Sequence, residues 1–313
     1  SDSNLPIMLI STDIDPDTNT PTDIPDEPKV LANMRLIYRP DGTRNYLTDS
    51  TNESFLNYKG RIGIELRGSS SQALDKKPYG FTTLLDDDDS NNNVSLLGMP
   101  SENDWVLNSL AYDPSMVRDY LSYTLAGNTG NYAPRVTYIE VIVNGDYKGV
   151  YFLTEKVKRD SDRVNLKKIA DDDNDFPEVT GGYIIKADKT TGGDEVAWTM
   201  PNYGGWDTNF LHHYPKTEDI TSAQANYIET VFYDLEAQTN PANTSIVDGY
   251  PSMIDIPSFV DYILMAEFAS NPDAYQFSTY FHKDRGGKLR AGPIWDYNLS
   301  FGNDLFVFGF DRS

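Results

Sequence analysis

The 313-residue chain contains no cysteine. Disulfides, zinc–thiolate sites and thiol nucleophiles are excluded with it. Histidine is nearly as scarce: His212, His213 and His282 are the only three, too few for a histidine-rich metal centre. No apolar run approaches the ~20 residues that span a bilayer. Positive charge is outweighed, with 26 Lys and Arg against 48 Asp and Glu, a net charge of −22. A surface of that sign repels phosphate backbones, so general nucleic-acid binding is set aside. A single anionic ligand remains open where local Lys, Arg or a metal offsets the field. No G-x-S-x-G run is present, which argues against a Ser-His-Asp hydrolase of the common kind.

What the chain does have is aromatic residues, 21 Tyr, 14 Phe and 4 Trp, within a 39% hydrophobic composition. That is the composition of a folded globular protein. Its length gives a prior of about two domains or one large two-lobed domain. The first sixty residues read as β-rich and irregular, with strand candidates at 5–10 and 35–38. Residues 62–66 alternate cleanly as a half-buried strand, and a further strand is expected over 77–85. A helix is expected over 115–128 with Val117, Tyr120, Leu121 and Leu125 on its inner face. Asn144-Gly145 is the best hairpin turn in the chain, between strands 136–143 and 148–153. Another strand follows at 181–187. Helices are expected over 221–238, with Ala225, Ile228, Val231, Phe232 and Leu235 inward, and over 257–269, capped by Asp255. Strands dominate early and helices late, which points to an α+β protein with a sheet lobe and a helical lobe. The runs Asp86–Asp89 and Asp171–Asp173 read as solvated loops or as a calcium site, though neither has EF-hand spacing.

The stretch 271–303 carries the chemistry. A loop with Asp273 follows the apolar helix, then a hairpin with strands at 279–282 and 288–294, then Asp296 at the hairpin's end. Loop Asp, hairpin and second Asp is the layout of a protein-kinase catalytic centre. There the first Asp takes the proton of the attacking hydroxyl. A polar residue five positions on, here Ser278, and the second Asp hold metal ions on the phosphates. Turn-capping aspartates produce the same pattern. Upstream, the small-residue loop Ser69-Ser70-Ser71 suits a phosphate cover, and Lys76 and Lys77 open the next strand. A flexible turn and a solvated strand end are the plain alternatives.

Several stretches together resemble the spore coat protein H (CotH) kinase family of atypical secretory-type kinases. They are Arg67-Gly68-Ser69-Ser70-Ser71 with Lys76-Lys77-Pro78-Tyr79, Asp104-Trp105-Val106-Leu107, and residues 113–118. The series continues with Asn144-Gly145-Asp146-Tyr147-Lys148-Gly149-Val150-Tyr151 running to Glu155, then Gly181-Gly182-Tyr183, Asn271-Pro272-Asp273 and Gly292-Pro293-Ile294-Trp295-Asp296. The resemblance runs from about Ile62 to Asn303, and residues 1–60 look like the extension of Bacteroidetes-type exported members.

The family implies an α+β, protein-kinase-like two-lobed fold with an N-terminal β-rich extension. The expected parts are 1–60 (extension), 61–170 (β-rich lobe with one helix) and 171–313 (mainly helical lobe with the catalytic hairpin). It implies ATP with Mg²⁺ or Mn²⁺ as cofactors, and transfer to Ser or Thr of exported or surface protein substrates. Carried over, Asp273 is the catalytic carboxylate and Asp296 the metal ligand. Lys77, with Lys76 as the alternative, is the phosphate-pairing lysine, and Ser69, Ser70 and Ser71 lie over the phosphates. Glu155 contacts the nucleotide or orients the lysine. Ser278 and Asn298 take metal-shell positions where many members carry Asn and Asp, which leaves less negative charge for the ion. The Ser1-Asp2-Ser3-Asn4 start reads as a mature terminus after export, and the end at Ser313 as a shortened helical lobe.

Two other functions compete. One is a non-catalytic extracellular binding module, a pseudokinase or a carbohydrate or protein binder. Its aromatic surface would draw on Trp105, Trp198, Trp206 and Trp295, with residues 198–215 as a core cap or a lid. The other is a two-carboxylate glycosidase. His212-His213 suits packing or a metal, and Arg118 a surface ion pair or a phosphate contact.

Overall fold

The computed structural model describes residues 2–190, 194–201, 205, 207–239 and 242–304. The chain divides into two compact units. The first is Ser1–Pro114 with Arg135–Lys156, and the second is Ser115–Pro134 with Val157–Ser313.

The first unit is a closed barrel of seven strands. They are β1 (Ile7–Thr12), β2 (Val30–Ile37), β3 (Leu56–Leu66), β4 (Tyr79–Leu84), β5 (Asp104–Asn108), β6 (Val136–Val143) and β7 (Asp146–Glu155). Around the barrel the order is β6-β7-β5-β4-β3-β2-β1. Every pair is antiparallel except the closing one, where β1 runs parallel to β6 with Ile7 opposite Glu140 and Ile10 opposite Val143. Period-two alternation builds the interior. Met8 and Ile10, Ala32 with Met34 and Leu36, Ile62 and Ile64, Phe81, Trp105 and Leu107, Ile139 and Val141, and Tyr151 and Leu153 all point inward and are buried together. Each of the buried Met, Ile, Leu, Val and Phe side chains contributes about 1.5–3 kcal/mol of burial.

The Asn144-Gly145 turn forms as expected, with both residues at positive φ (51° and 81°) and Val143 paired to Asp146. Asn144 also fastens the barrel seam. Its Oδ1 accepts the Thr12 N–H at 2.9 Å. Just beyond the turn, Val141 pairs with Gly149 but Ile142 with Tyr147, so Lys148 is the extra residue of a bulge. Residues 1–60 therefore differ from the expected separate extension, because β1 and β2 are staves of the barrel itself.

The second unit is an antiparallel five-stranded sheet with helices. The strands are β8 (Tyr183–Ala187), β9 (Trp198–Pro201), β10 (Asp207–Tyr214), β11 (Thr279–Lys283) and β12 (Arg290–Ala291), in the order β9-β10-β8-β11-β12. The helices are α1 (Arg118–Asn128), α2 (Ser222–Thr239) and α3 (Ile256–Phe268). Ile228 and Phe232 of α2 pack with Tyr183, Ile185, Trp198 and Phe210 in one core, as the 3.6-residue spacing predicts. Trp198 stacks on Phe210 at 5.2 Å, so it belongs to the core; Trp206 lies outside the described residues. The expected strand 288–294 is cut to Arg290–Ala291, because Gly292 sits at φ 99° and Pro293 has no N–H for a ladder.

Helix α1 turns the opposite way from the sequence expectation. Val117, Tyr120 and Leu121 are exposed, and the buried residues are Asp119, Ser122, Tyr123 and Ala126. The polar face is the inner one, and the reason lies in what it binds, described below. The histidine pair splits: His212 is buried, while His213 Nε2 bonds the Val157 carbonyl at 2.7 Å and its ring meets Tyr280 edge-on. The aspartate runs serve turns and ion pairs. Asp87 accepts the Ser90 N–H, Asp88 pairs with Arg61, and Asp173 pairs with Arg285.

Leu107→Ala empties a fully buried barrel position. It is expected to lower unfolding stability by about 2–5 kcal/mol in urea denaturation. An unchanged midpoint would remove Leu107 from the core.

Candidate functional site

In the second unit the candidate residues sit on two loops. The first follows α3. Asp255 caps the start of that helix by accepting the Ser258 N–H at 3.0 Å. At its other end the Asn271 N–H returns to the Ala266 carbonyl. Asn271 Oδ1 then accepts the Asp273 N–H at 3.2 Å, and the Asp273 carbonyl accepts the Phe277 N–H at 2.9 Å. These bonds fold 271–278 into a tight loop that enters β11 with Ser278 at φ 47°. The second loop leaves β12 and carries Asp296 at φ 56°. The two loops meet where Ser278 Oγ donates to Asp296 Oδ2 at 3.0 Å.

Asp273 is half-buried, and that burial is the main cause raising its carboxyl above the usual 3.8. The Lys189 charge pulls the other way, while Asp188 and Asp304 push it further up. Lys189 extends over the Phe277 ring of the same loop, Nζ to centroid 5.2 Å. Asp273 is thus a carboxylate with raised proton affinity next to a cation, suited to receive a proton from a hydroxyl.

Helix α1 holds the Asp296 loop. The Asp296 N–H donates to the Tyr123 hydroxyl at 3.3 Å, and the Tyr297 N–H donates to Asp119 Oδ1 at 2.7 Å. The Tyr123 ring stacks on Trp295, and Arg118 Nε donates to the Ser300 carbonyl at 2.9 Å. Arg118 therefore anchors a loop carbonyl, and its Nη1 also donates to Ser115 Oγ at 2.8 Å. Burial, with Asp119 and Asp296 adding to it, raises the Tyr123 phenol well above its ordinary range, so it stays protonated.

The donor set suits a hard cation. A carboxylate and a hydroxyl 3.0 Å apart are oxygen ligands of the kind Mg²⁺ or Mn²⁺ takes. Asn298 lies two residues on and half-buried, its carbonyl accepting Asn303 Nδ2 at 2.8 Å. Among the described residues no group of three or more His, Asp or Glu is placed to share an ion.

The first unit holds the other candidates. Arg67 leaves β3, and Gly68 at φ 92° turns the chain; a side chain there would run into Ser71 Oγ. Ser69 precedes a short 3₁₀ turn, Ser70–Ala73. Lys77 Nζ donates to the Gln72 carbonyl at 2.7 Å, so it lies against this serine loop. Lys76 points elsewhere: Nζ donates to the Val150 carbonyl and lies 4.7 Å from the Tyr151 ring centroid. Of the two lysines, only Lys77 reaches the loop. The Glu155 side chain is fully buried; its oxygens accept the Arg135 N–H at 2.9 Å and the Arg135 guanidinium at 2.8 Å.

Sequence reasoning missed Asp119, Tyr123 and Lys189. The first two carry a legible signal, an acid and a tyrosine at i, i+4 on the face opposite the apolar one. Lys189 has none, since it meets the Asp273 loop only through folding.

In the second unit the loop carboxylate and the hydroxyl–carboxylate pair suit proton transfer and a hard cation, and in the first unit Lys77 lies against the serine loop. A family model described as CotH kinase protein matches residues 64–305, and the chain belongs to the CotH kinase family. No curated protein matches it. Membership supports a kinase-like function, and the mixed helix and strand content with a large β-rich part agrees with it. No helix among the described residues is long and apolar enough to cross a membrane.

The raised Asp273 carboxyl has a stability consequence. Between the usual 3.8 and its higher folded value, the native state binds more protons than the unfolded state. Its contribution therefore becomes destabilising as pH rises through that window. Asp273→Asn is expected to melt higher than the parent at pH 7, with the gain vanishing below pH 3.8. Equal melting temperatures at pH 7 would remove the desolvated carboxylate.

Proposed function

We propose that the chain is an atypical ATP-dependent kinase that transfers the γ-phosphoryl group to Ser or Thr of exported or surface proteins. The single observation that carries the reading is the Ser278–Asp296 pair joined to the loop of a desolvated Asp273. Family membership supports the kinase class. A protein-kinase-like two-lobed fold and an exported location belong to the same reading.

In this reading Asp273 accepts the proton of the substrate hydroxyl as its oxygen forms a bond to the γ-phosphorus. The bond from that phosphorus to the β–γ bridging oxygen breaks, and ADP leaves with the electron pair. Asp296 and Ser278 hold Mg²⁺ or Mn²⁺, with Asn298 as a further neutral oxygen. When bound, the ion neutralises phosphate charge. Lys77 pairs with the α/β-phosphates, and the Ser69–Ser71 loop covers them with N–H and hydroxyl donors. The lone acid of the metal set favours a second reading, a pseudokinase that binds nucleotide without turnover.

Calorimetry of ATP binding in EDTA, Mg²⁺ and Mn²⁺ tests the proposal. Metal-dependent binding is expected for the parent and its loss in Asp296→Ala; an Asp296→Ala variant that binds like the parent refutes the metal assignment. Asp273→Asn is expected to keep binding and to lower phosphoryl transfer by about 10²–10⁴-fold. Binding with no transfer in the parent, across basic and neutral protein substrates, selects the pseudokinase.

A further inference from the structure

We propose that Asp119 and Tyr123 are positioning residues for Asp296, so that helix α1 sets the affinity of the site for its divalent ion. This rests on the metal-dependent nucleotide reading above.

The argument starts from cost. Asp119 is 1% exposed and Tyr123 5% exposed. Burying a carboxylate is expensive unless hydrogen bonds compensate it. One of the bonds Asp119 receives is the Tyr297 N–H, at 2.7 Å, in the peptide that follows the candidate metal ligand. Four positions along the same helix face, the Tyr123 hydroxyl receives the Asp296 N–H itself. The Tyr123 ring covers Trp295, and Arg118 takes the Ser300 carbonyl. One helix thus grips the loop before, at and after Asp296.

That grip falls on a strained residue. Asp296 lies at φ 56°, in the left-handed region that L-residues seldom occupy. Ser278 steadies the carboxylate, but it does not hold the backbone that aims it. Without the two acceptors on α1, φ is free to relax to negative values and carry the carboxylate away from Ser278. Hydrogen-bond partners lying behind metal ligands typically alter metal affinity by about 10–100-fold when removed.

The test is calorimetry of ADP binding with and without Mn²⁺, which needs no turnover. Asp119→Ala is expected to weaken Mn²⁺-dependent ADP binding by about tenfold or more, and to leave ADP binding in EDTA unchanged. Asp119→Asn keeps an acceptor oxygen and is expected within about threefold of the parent. Tyr123→Phe loses only the hydroxyl and is expected to weaken the Mn²⁺ component alone; it carries the test if Asp119→Ala does not fold by circular dichroism. Parent-like Mn²⁺ dependence in Asp119→Ala or, failing that, in Tyr123→Phe, overturns the inference while the kinase reading stands. An Asp119→Asn as weak as Asp119→Ala overturns the acceptor role. A parent that binds ADP equally with and without Mn²⁺ removes the metal reading and this inference together.

Discussion

A backbone held at positive φ under an acidic side chain is the constraint on which the candidate site depends. Asp tolerates the left-handed region better than most residues, yet it still gives up conformational freedom there. Asp296 keeps that geometry while its own N–H and the next one bond to α1 and its carboxylate bonds to Ser278. The neighbouring loops share the trait, with Tyr275 at φ 74°, Ser278 at 47° and Phe301 at 51°. Strain of this kind gathers where a fold must aim side chains instead of merely packing them. The inverted face of α1 follows from the same constraint. Its polar residues face inward because loop N–H groups need acceptors, and its apolar residues are left outside.

The barrel obeys a different rule, closure. In the first unit the family match, which begins at residue 64, takes in the end of β3 and all of β4 to β7. Strands β3 to β7 alone would be an open sheet with two bare edges. Strands β1 and β2 bridge the edges, pairing with β6 on one side and β3 on the other. The glycine-turned serine loop and Lys77 lie between β3 and β4, so they are mounted on staves that the earlier segment locks in place.

Local signals were legible and distant ones were not. The Asn144-Gly145 turn, the Asp255 cap and the inward face of α2 are each written within a few residues, and each is found where the sequence places it. The strands Asp104–Asn108, Trp198–Pro201 and Asp207–Tyr214 are short or lack clean alternation, and periodicity passes over them. At the site, Asp273, Ser278 and Asp296 stand out because a loop, a hairpin and a loop lie close in sequence. The partners of Asp296 do not, since Asp119 and Tyr123 stand more than 170 residues upstream and their contacts exist only in three dimensions. The adjacent lysines show the same limit. Neighbours in sequence, Lys76 and Lys77 go to different carbonyls, and nothing in Lys-Lys says which will reach the serine loop.

The seam of the barrel also sets a timetable. Residues 7–10 pair with residues 140–143, so β1 is made long before the neighbour that closes the barrel against it. Until β6 emerges, β1 can sit against β2 but presents its other edge bare. Such non-local pairing slows folding and leaves an interval in which a nascent chain can recruit another copy of itself. The hairpin turn at Asn144-Gly145 shortens that interval, because it delivers β6 with β7 close behind, and Asn144 then latches the seam through Thr12. Synthesis rate and chaperone supply would accordingly bear on the yield of this protein.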